Sequence, residues 1–258
     1  MTKRIFSCGC LLGLFVLASF SLSKPPSKRK VYLIGDSTVA HYEPSRYPMQ
    51  GWGMPFTYFF DSTVTVVNKA RGGRSTRTFL SEGLWQPVYD SLQAGDYVFM
   101  QFGHNDEAKE PQYAARYTPL PDYRKNLLKF ITETKNKKAL PVLITPVTRM
   151  KFDAAGKALE THEEYSRAVR EIAKQTNTPL LDLDRLSLQL VQRRGPEYAK
   201  DLFNQLEPGE HPNYPEGIKD NTHFSEFGAR KMAELVLAEV KAQKLELANR
   251  IRQQSPKK

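Results

Sequence analysis

Val31-Tyr32-Leu33-Ile34-Gly35-Asp36-Ser37-Thr38 sets four apolar residues against a glycine and three polar ones. A short apolar run closed by a turn signal reads as a buried strand. Similar runs recur at Val64–Asn68, Tyr97–Gln101, Leu140–Thr145 and Pro179–Asp182. Helical patterns lie between them, around Thr78–Leu92, Asp122–Lys137 and Glu160–Thr176. A last helix is predicted from Ser225 to about Arg250, with Ser225 as N-cap and Leu235, Val236, Val240 and Leu245 as its apolar stripe. Strands alternating with helices predict an α/β fold: a three-layer α/β/α sandwich around a five-stranded, doubly wound parallel sheet. In that architecture ligands gather at the carboxyl ends of the strands. His41–Gln50, Asp106–Pro121 and Gln205–Asn221 fit no regular element, and long loops in compact domains are commonly functional.

The chain has 258 residues, 40% of them hydrophobic and 26% charged, which suits one globular α/β domain and excludes a disordered or collagen-like chain. Lys3 and Arg4 precede an apolar or small-residue run from Ile5 to Leu22, with small residues at Ser21 and Ser23. Residues 1–23 therefore read as a secretory signal peptide cleaved near Ser23, which predicts a secreted or periplasmic protein. At about 18 residues the run is also long enough to serve as an uncleaved anchor, the only membrane contact the sequence suggests. Residues 24–30 read as a basic linker, 31–250 as the catalytic domain and 251–258 as a polar, basic tail. Both cysteines, Cys8 and Cys10, fall in the signal segment, so the mature domain has no disulfide to rely on. The formal charge of +10 loses only the two charges of Lys3 and Arg4 on cleavage, leaving +8 and an attraction for acidic partners. The basic residues are scattered and match no recognition motif, which argues against nucleic acid.

Four polar clusters fall at the predicted carboxyl edge of the sheet. Ser37 follows the first strand, where a hydroxyl can act as nucleophile if a base and oxyanion donors are near. Asp36-Ser37-Thr38 lacks both the glycine loop of a phosphate-binding P-loop and the second glycine of a G-x-S-x-G elbow. The Gly72-Gly73 turn after the second strand opens backbone N–H groups to a ligand. Asn105, in Gly103-His104-Asn105-Asp106, can donate its amide to an oxyanion. Asp220-Asn221-Thr222-His223 places a carboxylate three residues before an imidazole, in a loop or turn where it can orient that ring as a general base. His104, with no second histidine at metal-ligand spacing, reads as structural or as a support behind the residues that carry the chemistry. Each cluster alone reads equally as a cap or a turn. Together they supply a nucleophile, an oxyanion cradle and a base, the requirements of acyl transfer.

Gly35-Asp36-Ser37-Thr38, Ala70–Ser75 with Gly73, Gly103-His104-Asn105-Asp106 and Asp220-x-x-His223 resemble the four blocks of the SGNH (GDSL-type) hydrolase superfamily. Gly51-Trp52-Gly53, Asn68 and Gly73-Arg74-Ser75 resemble its rhamnogalacturonan acetylesterase-like branch more narrowly. The resemblance implies a flavodoxin-like sandwich and a serine esterase with no cofactor and no metal. It implies Ser37 as nucleophile, His223 as base and Asp220 as its orienting carboxylate. The oxyanion hole it implies is made by the backbone N–H groups of Ser37 and Gly73 and the side chain of Asn105.

The expected substrate is an acetylated polysaccharide or oligosaccharide, acidic and uronate-containing, because Arg71, Arg74 and Arg77 flank the glycine turn and arginine matches carboxylates. Tyr42, Tyr47, Tyr113, Tyr117 and Tyr214 are candidate sugar-stacking platforms, with Arg74, Tyr42 and Tyr113 assigned to substrate binding. Trp52 reads instead as core beneath the first loop. A lipase, thioesterase or acyltransferase on the same scaffold is the alternative within enzymes. A catalytically inactive carbohydrate-binding protein is the alternative outside them. Activity is expected to rise with pH as the His223 imidazole deprotonates. The sequence leaves the oligomeric state open.

Overall fold

The computed structural model describes residues 27–252; residues 1–26 and 253–258, which hold the predicted signal segment and most of the predicted tail, lie outside the described residues. In chain order the elements are β1 (Arg29–Gly35), α1 (Gly53–Phe56), β2 (Val64–Asn68), α2 (Thr76–Ser81), α3 (Gln86–Ser91), β3 (Tyr97–Gln101) and α4 (Leu120–Asn136). They continue with β4 (Leu140–Ile144), α5 (Glu163–Thr176), β5 (Leu180–Leu181), α6 (Leu183–Tyr198), β6 (Phe203–Leu206), β7 (Ile218–Phe224) and α7 (Glu226–Ala242).

Five strands form one parallel sheet in the order β2-β1-β3-β4-β5. The chain steps from β1 to β2 on one side and then crosses to β3 on the other. The winding direction thus reverses at β1, and the crevice of a doubly wound sheet opens beyond the carboxyl ends of β1 and β3. The apolar runs bury both sheet faces, as strands covered by helices on both sides must. Val31, Leu33, Phe99 and Ile144 pack with Trp52, Phe56 and the α7 residues Met232 and Val236. Tyr32, Ile34, Val98 and Met100 pack on the opposite face with Phe79, Val88, Leu127 and Phe130. Each such buried side chain contributes about 1.5–3 kcal/mol, so the sheet is a rigid base for the loops at its edge.

Several boundaries differ from the sequence reading. The predicted helix over 78–92 is two helices, because Gly83 takes φ 70° after α2 and Pro87 sits in the first turn of α3. The last helix stops at Ala242, where Lys244 turns left-handed (φ 52°) and a short 3-10 segment, Glu246–Arg250, follows. β5 keeps only two residues, since Asp182 leaves the strand to cap α6. α6 itself has no counterpart in the sequence reading; Gly195-Pro196 breaks its pattern, and Gly195 kinks it at φ 70°. β1 reaches back to Arg29, in the predicted linker, because Arg29 and Lys30 pair with Val64 and Thr65. Ile251, at the start of the predicted tail, bridges to Phe60. Gln205–Asn221 is not irregular throughout, for β6 and β7 pair there as an antiparallel ribbon.

Candidate active site

Ser37 lies just past β1, where Gly35 lets the chain leave the sheet. A Cβ on Gly35 would stand 2.4 Å from the carbonyl oxygen of Gln101 on the neighbouring strand, so no larger residue fits. Asp36 turns inward, fully buried, and its Oδ1 accepts from the backbone N–H (2.9 Å) and hydroxyl (2.7 Å) of Thr38. Thr38 Oγ1 accepts in turn from Gln101 Nε2 (2.5 Å), and Gln101 Oε1 accepts from Trp52 Nε1 (2.7 Å). Trp52 is therefore core, as the sequence reading expects, and it props the Ser37 turn from below. Burial raises the Asp36 carboxyl above the usual carboxylate range, against the opposing hydrogen bonds from Thr38.

His223 and Asp220 lie on β7, not in a loop. The end of β7 is tied to the first loop by Gln50 N–H donating to the Phe224 carbonyl (3.0 Å), which brings the imidazole to Ser37. His223 Nε2 stands 2.9 Å from Ser37 Oγ, and His223 Nδ1 stands 2.7 Å from Asp220 Oδ2. Asp220 Oδ1 accepts from the backbone N–H groups of Thr222 (2.8 Å) and His223 (2.9 Å). Partial burial pushes the Asp220 carboxyl up, but hydrogen bonds and charge from His223 outweigh it and hold the group below the usual range. Asp220 thus stays ionised and fixes the ring with Nε2 toward the hydroxyl.

The glycine turn and Asn105 close on the same point. Gly73 sits at φ 77°, a left-handed conformation that suits glycine, and a Cβ on Gly72 would lie 3.7 Å from Ser37 Cβ. Asn68 clips this turn to the first loop: its amide donates to the Val39 carbonyl (2.8 Å) and its carbonyl accepts from Ala70 N–H (3.1 Å). Asn105 Nδ2 gives one hydrogen to the Arg74 carbonyl (3.0 Å), and the amide's other hydrogen remains available. Among the described residues, the N–H groups of Ser37 and Gly73 have no protein acceptor. The arrangement offers an activated hydroxyl beside three donors suited to a developing oxyanion.

Behind Asn105, Asp106 Oδ1 accepts from the N–H (2.9 Å) and hydroxyl (2.6 Å) of Thr76, and burial pushes its carboxyl up to about 7. His104 is buried, and its ring packs 4.1 Å from that of His162, 58 positions away in the chain. Burial drives the His104 pKa well down, with His162 and Arg149 adding to the effect. His162 Nδ1 meets Glu107 Oε2 (2.9 Å), and Arg149 donates to Glu107 Oε1 (2.6 Å). Neither His162 nor Arg149 carries a motif that sequence reasoning could have used.

The expected substrate-binding residues are divided. Tyr42 donates its hydroxyl to the Ser37 carbonyl (3.0 Å) and so braces the turn. Tyr214 donates to the Arg46 carbonyl (2.9 Å), and Tyr47 donates to Glu226. Tyr113, on the Asp106–Pro121 loop, is partly exposed and lies under the guanidinium of Arg116. Arg74 binds Glu82 (2.9 Å) and the Gly72 carbonyl (2.9 Å), Arg77 pairs with Asp122 (3.6 Å), and Arg71 is exposed.

Residues 33–231 match the GDSL-like lipase/acylhydrolase family. The rhamnogalacturonan acetylesterase RhgT of Bacillus subtilis (strain 168) is 42% identical over 207 residues, 80% of this chain and 87% of its own length. The probable rhamnogalacturonan acetylesterase YesY of the same organism is 36% identical over 223 residues, 86% of this chain and 96% of its own. The crystal structure of protein YxiM from Bacillus subtilis has a TM-score of 0.72 at 27% identity; the match covers 86% of this chain and 59% of that longer one. The acetylxylan esterase Axe2 from Geobacillus stearothermophilus shares the fold, with a TM-score of 0.60 at 20% identity over 88% of this chain and 98% of its own.

Proposed function

The chain belongs to the GDSL-like lipase/acylhydrolase family and is a carboxylic ester hydrolase, and from that premise we propose that it removes acetyl groups from an acetylated, uronate-containing polysaccharide such as rhamnogalacturonan. The observation that carries the chemistry is the continuous path from Asp220 through His223 to Ser37, 2.7 Å and 2.9 Å long, ending beside the Gly73 turn and Asn105. The relatives named as rhamnogalacturonan acetylesterases support the acetyl group and the glycan. The basic balance of the chain supports an acidic one. The signal segment read from residues 1–23 supports action outside the cytoplasm.

In this reading Ser37 Oγ attacks the acetyl carbonyl carbon while His223 Nε2 takes its proton. The N–H groups of Ser37 and Gly73 and the Asn105 amide receive the oxyanion, and Asp220 stabilises the imidazolium without accepting its proton. His223 then protonates the departing sugar oxygen, which leaves the acetyl group on Ser37. Water attacks that acetyl ester with His223 again as base, and acetate and the free serine result.

The test is acetate release from acetylated pectins, xylans and glycosaminoglycans, with Ser37→Ala as control, alongside nitrophenyl esters of increasing chain length. Acetate release from acetylated pectin and a steep preference for acetyl over longer chains are expected. Release from simple esters but from no glycan, or a preference for long chains, would overturn the reading.

A further inference from the structure

Resting on that reading, we propose that Arg116 is the specificity-determining residue that binds the carboxylate of a uronic acid in the acetylated glycan. A Cβ on Gly73 would lie 3.9 Å from Arg116 Nη1, so the guanidinium stands next to one candidate oxyanion donor. Its Cζ lies 3.8 Å from the centre of the Tyr113 ring, which fixes the plane of the fork. Arg116 Nε is buried and has no acceptor among the described residues, so the guanidinium presents its outer edge. Among the described residues Arg116 forms no ion pair, whereas the nearby cations Arg74, Arg77 and Arg149 are engaged by Glu82, Asp122 and Glu107. Arg71 likewise has no ion pair among the described residues, but it is exposed and none of their aromatic rings holds its guanidinium.

The loop that carries Arg116 is held at its base. Thr118 N–H donates to the Asp106 carbonyl (2.9 Å), and the Tyr165 hydroxyl reaches the carbonyls of Thr118 (2.8 Å) and Asp106 (3.1 Å). Arg116 N–H donates to the Tyr113 carbonyl (2.9 Å), closing the turn that stacks the two side chains. A cleft of about 620 Å³ opens beside them, with Arg149 and His162 on its wall and the exposed Glu110, Glu163 and Glu164 among its lining. Those exposed acids are screened by solvent over about 8–10 Å. A half-buried, unpaired and preoriented guanidinium suits a planar carboxylate, which it can hold through two parallel N–H···O bonds.

The experiment compares kcat/KM for acetylated rhamnogalacturonan oligosaccharides with the same oligosaccharides after their uronates are reduced to primary alcohols. Wild type is expected to prefer the carboxylated set about tenfold or more. R116Q is expected to bring that ratio close to one, mainly by raising KM on the carboxylated set, and R116K to restore part of it. Equal losses on both sets in R116Q, or no preference in wild type, would overturn the proposal while leaving the deacetylase reading intact. Acetate release from no glycan at all would instead sink both. If R116Q fails to fold, R116K decides the matter: a ratio unchanged from wild type would overturn the proposal, and a reduced one would support it.

Discussion

The ring of Tyr42 stands edge-on to that of His223, 6.4 Å between centroids at 81°, while its hydroxyl holds the carbonyl of Ser37. One side chain thus meets both partners of the Ser37–His223 proton transfer. Burial also raises the phenol pKa, so the group stays a hydrogen-bond donor across the working pH range. Tyr42→Phe keeps the edge contact and loses the bond to Ser37. A bond of about 0.5–1.5 kcal/mol corresponds to a roughly 2–10-fold lower kcat. KM for a small acetyl ester should change little, and steady-state kinetics would expose a purely substrate-binding role as the reverse pattern.

Asn105 offers the amide hydrogen left free by its bond to Arg74. Asn105→Ala should lower kcat by about 10²–10³, the cost of one oxyanion donor. A loss below tenfold, in protein with an unchanged melting temperature, would remove Asn105 from that role.

Asp106 gives the protein a distinctive pH dependence. Its folded pKa is raised by burial to about 7 from an ordinary 3.8, so between those values the folded state holds a proton that the unfolded chain releases. The contribution is fully present below about pH 4 and is lost as pH rises through about 7. Asp106→Asn keeps an acceptor for Thr76 and cannot ionise. The melting temperature of wild type should therefore fall relative to that of Asp106→Asn as pH is raised from 4 to 8. The buried carboxyl of Asp36, also raised, adds a contribution of the same sign to both proteins and so cancels in the comparison. Parallel melting curves would show that Asp106 does not titrate in this window.

Trp52→Phe should cost about 2–4 kcal/mol, because it shrinks a fully buried side chain and strips Gln101 Oε1 of its donor. The melting temperature should drop by roughly 5–15 °C. Since Gln101 also donates to Thr38, next to Ser37, kcat should fall as well. A change in stability with wild-type turnover would confine Trp52 to packing.

The sequence makes the sheet legible because strands buried on both faces leave apolar runs, as the buried stretches of β1, β3 and β4 do. Ser37, Gly73, Asn105, Asp220 and His223 are legible because each follows or precedes such an element in a short polar block. β7 is not, since its residues Ile218–Phe224 are largely polar and it pairs through its backbone with β6. α6 hides behind Gly195-Pro196. Arg116 is missed for another reason: its place beside Gly73 arises only when residues 106–118 close on themselves. Likewise His104 and His162 meet through the approach of the α5 start to the end of β3, a contact with no local signature.

The grip of Tyr165 on both Asp106 and Thr118 clamps the two ends of the intervening eleven residues. Enlarging a stretch whose ends are already clamped adds entropy cost only slowly, about 0.6 kcal/mol for each doubling in length. A stretch of different length can therefore span the same two clamps at small thermodynamic cost, with Ser37, His223 and Asp220 left in place.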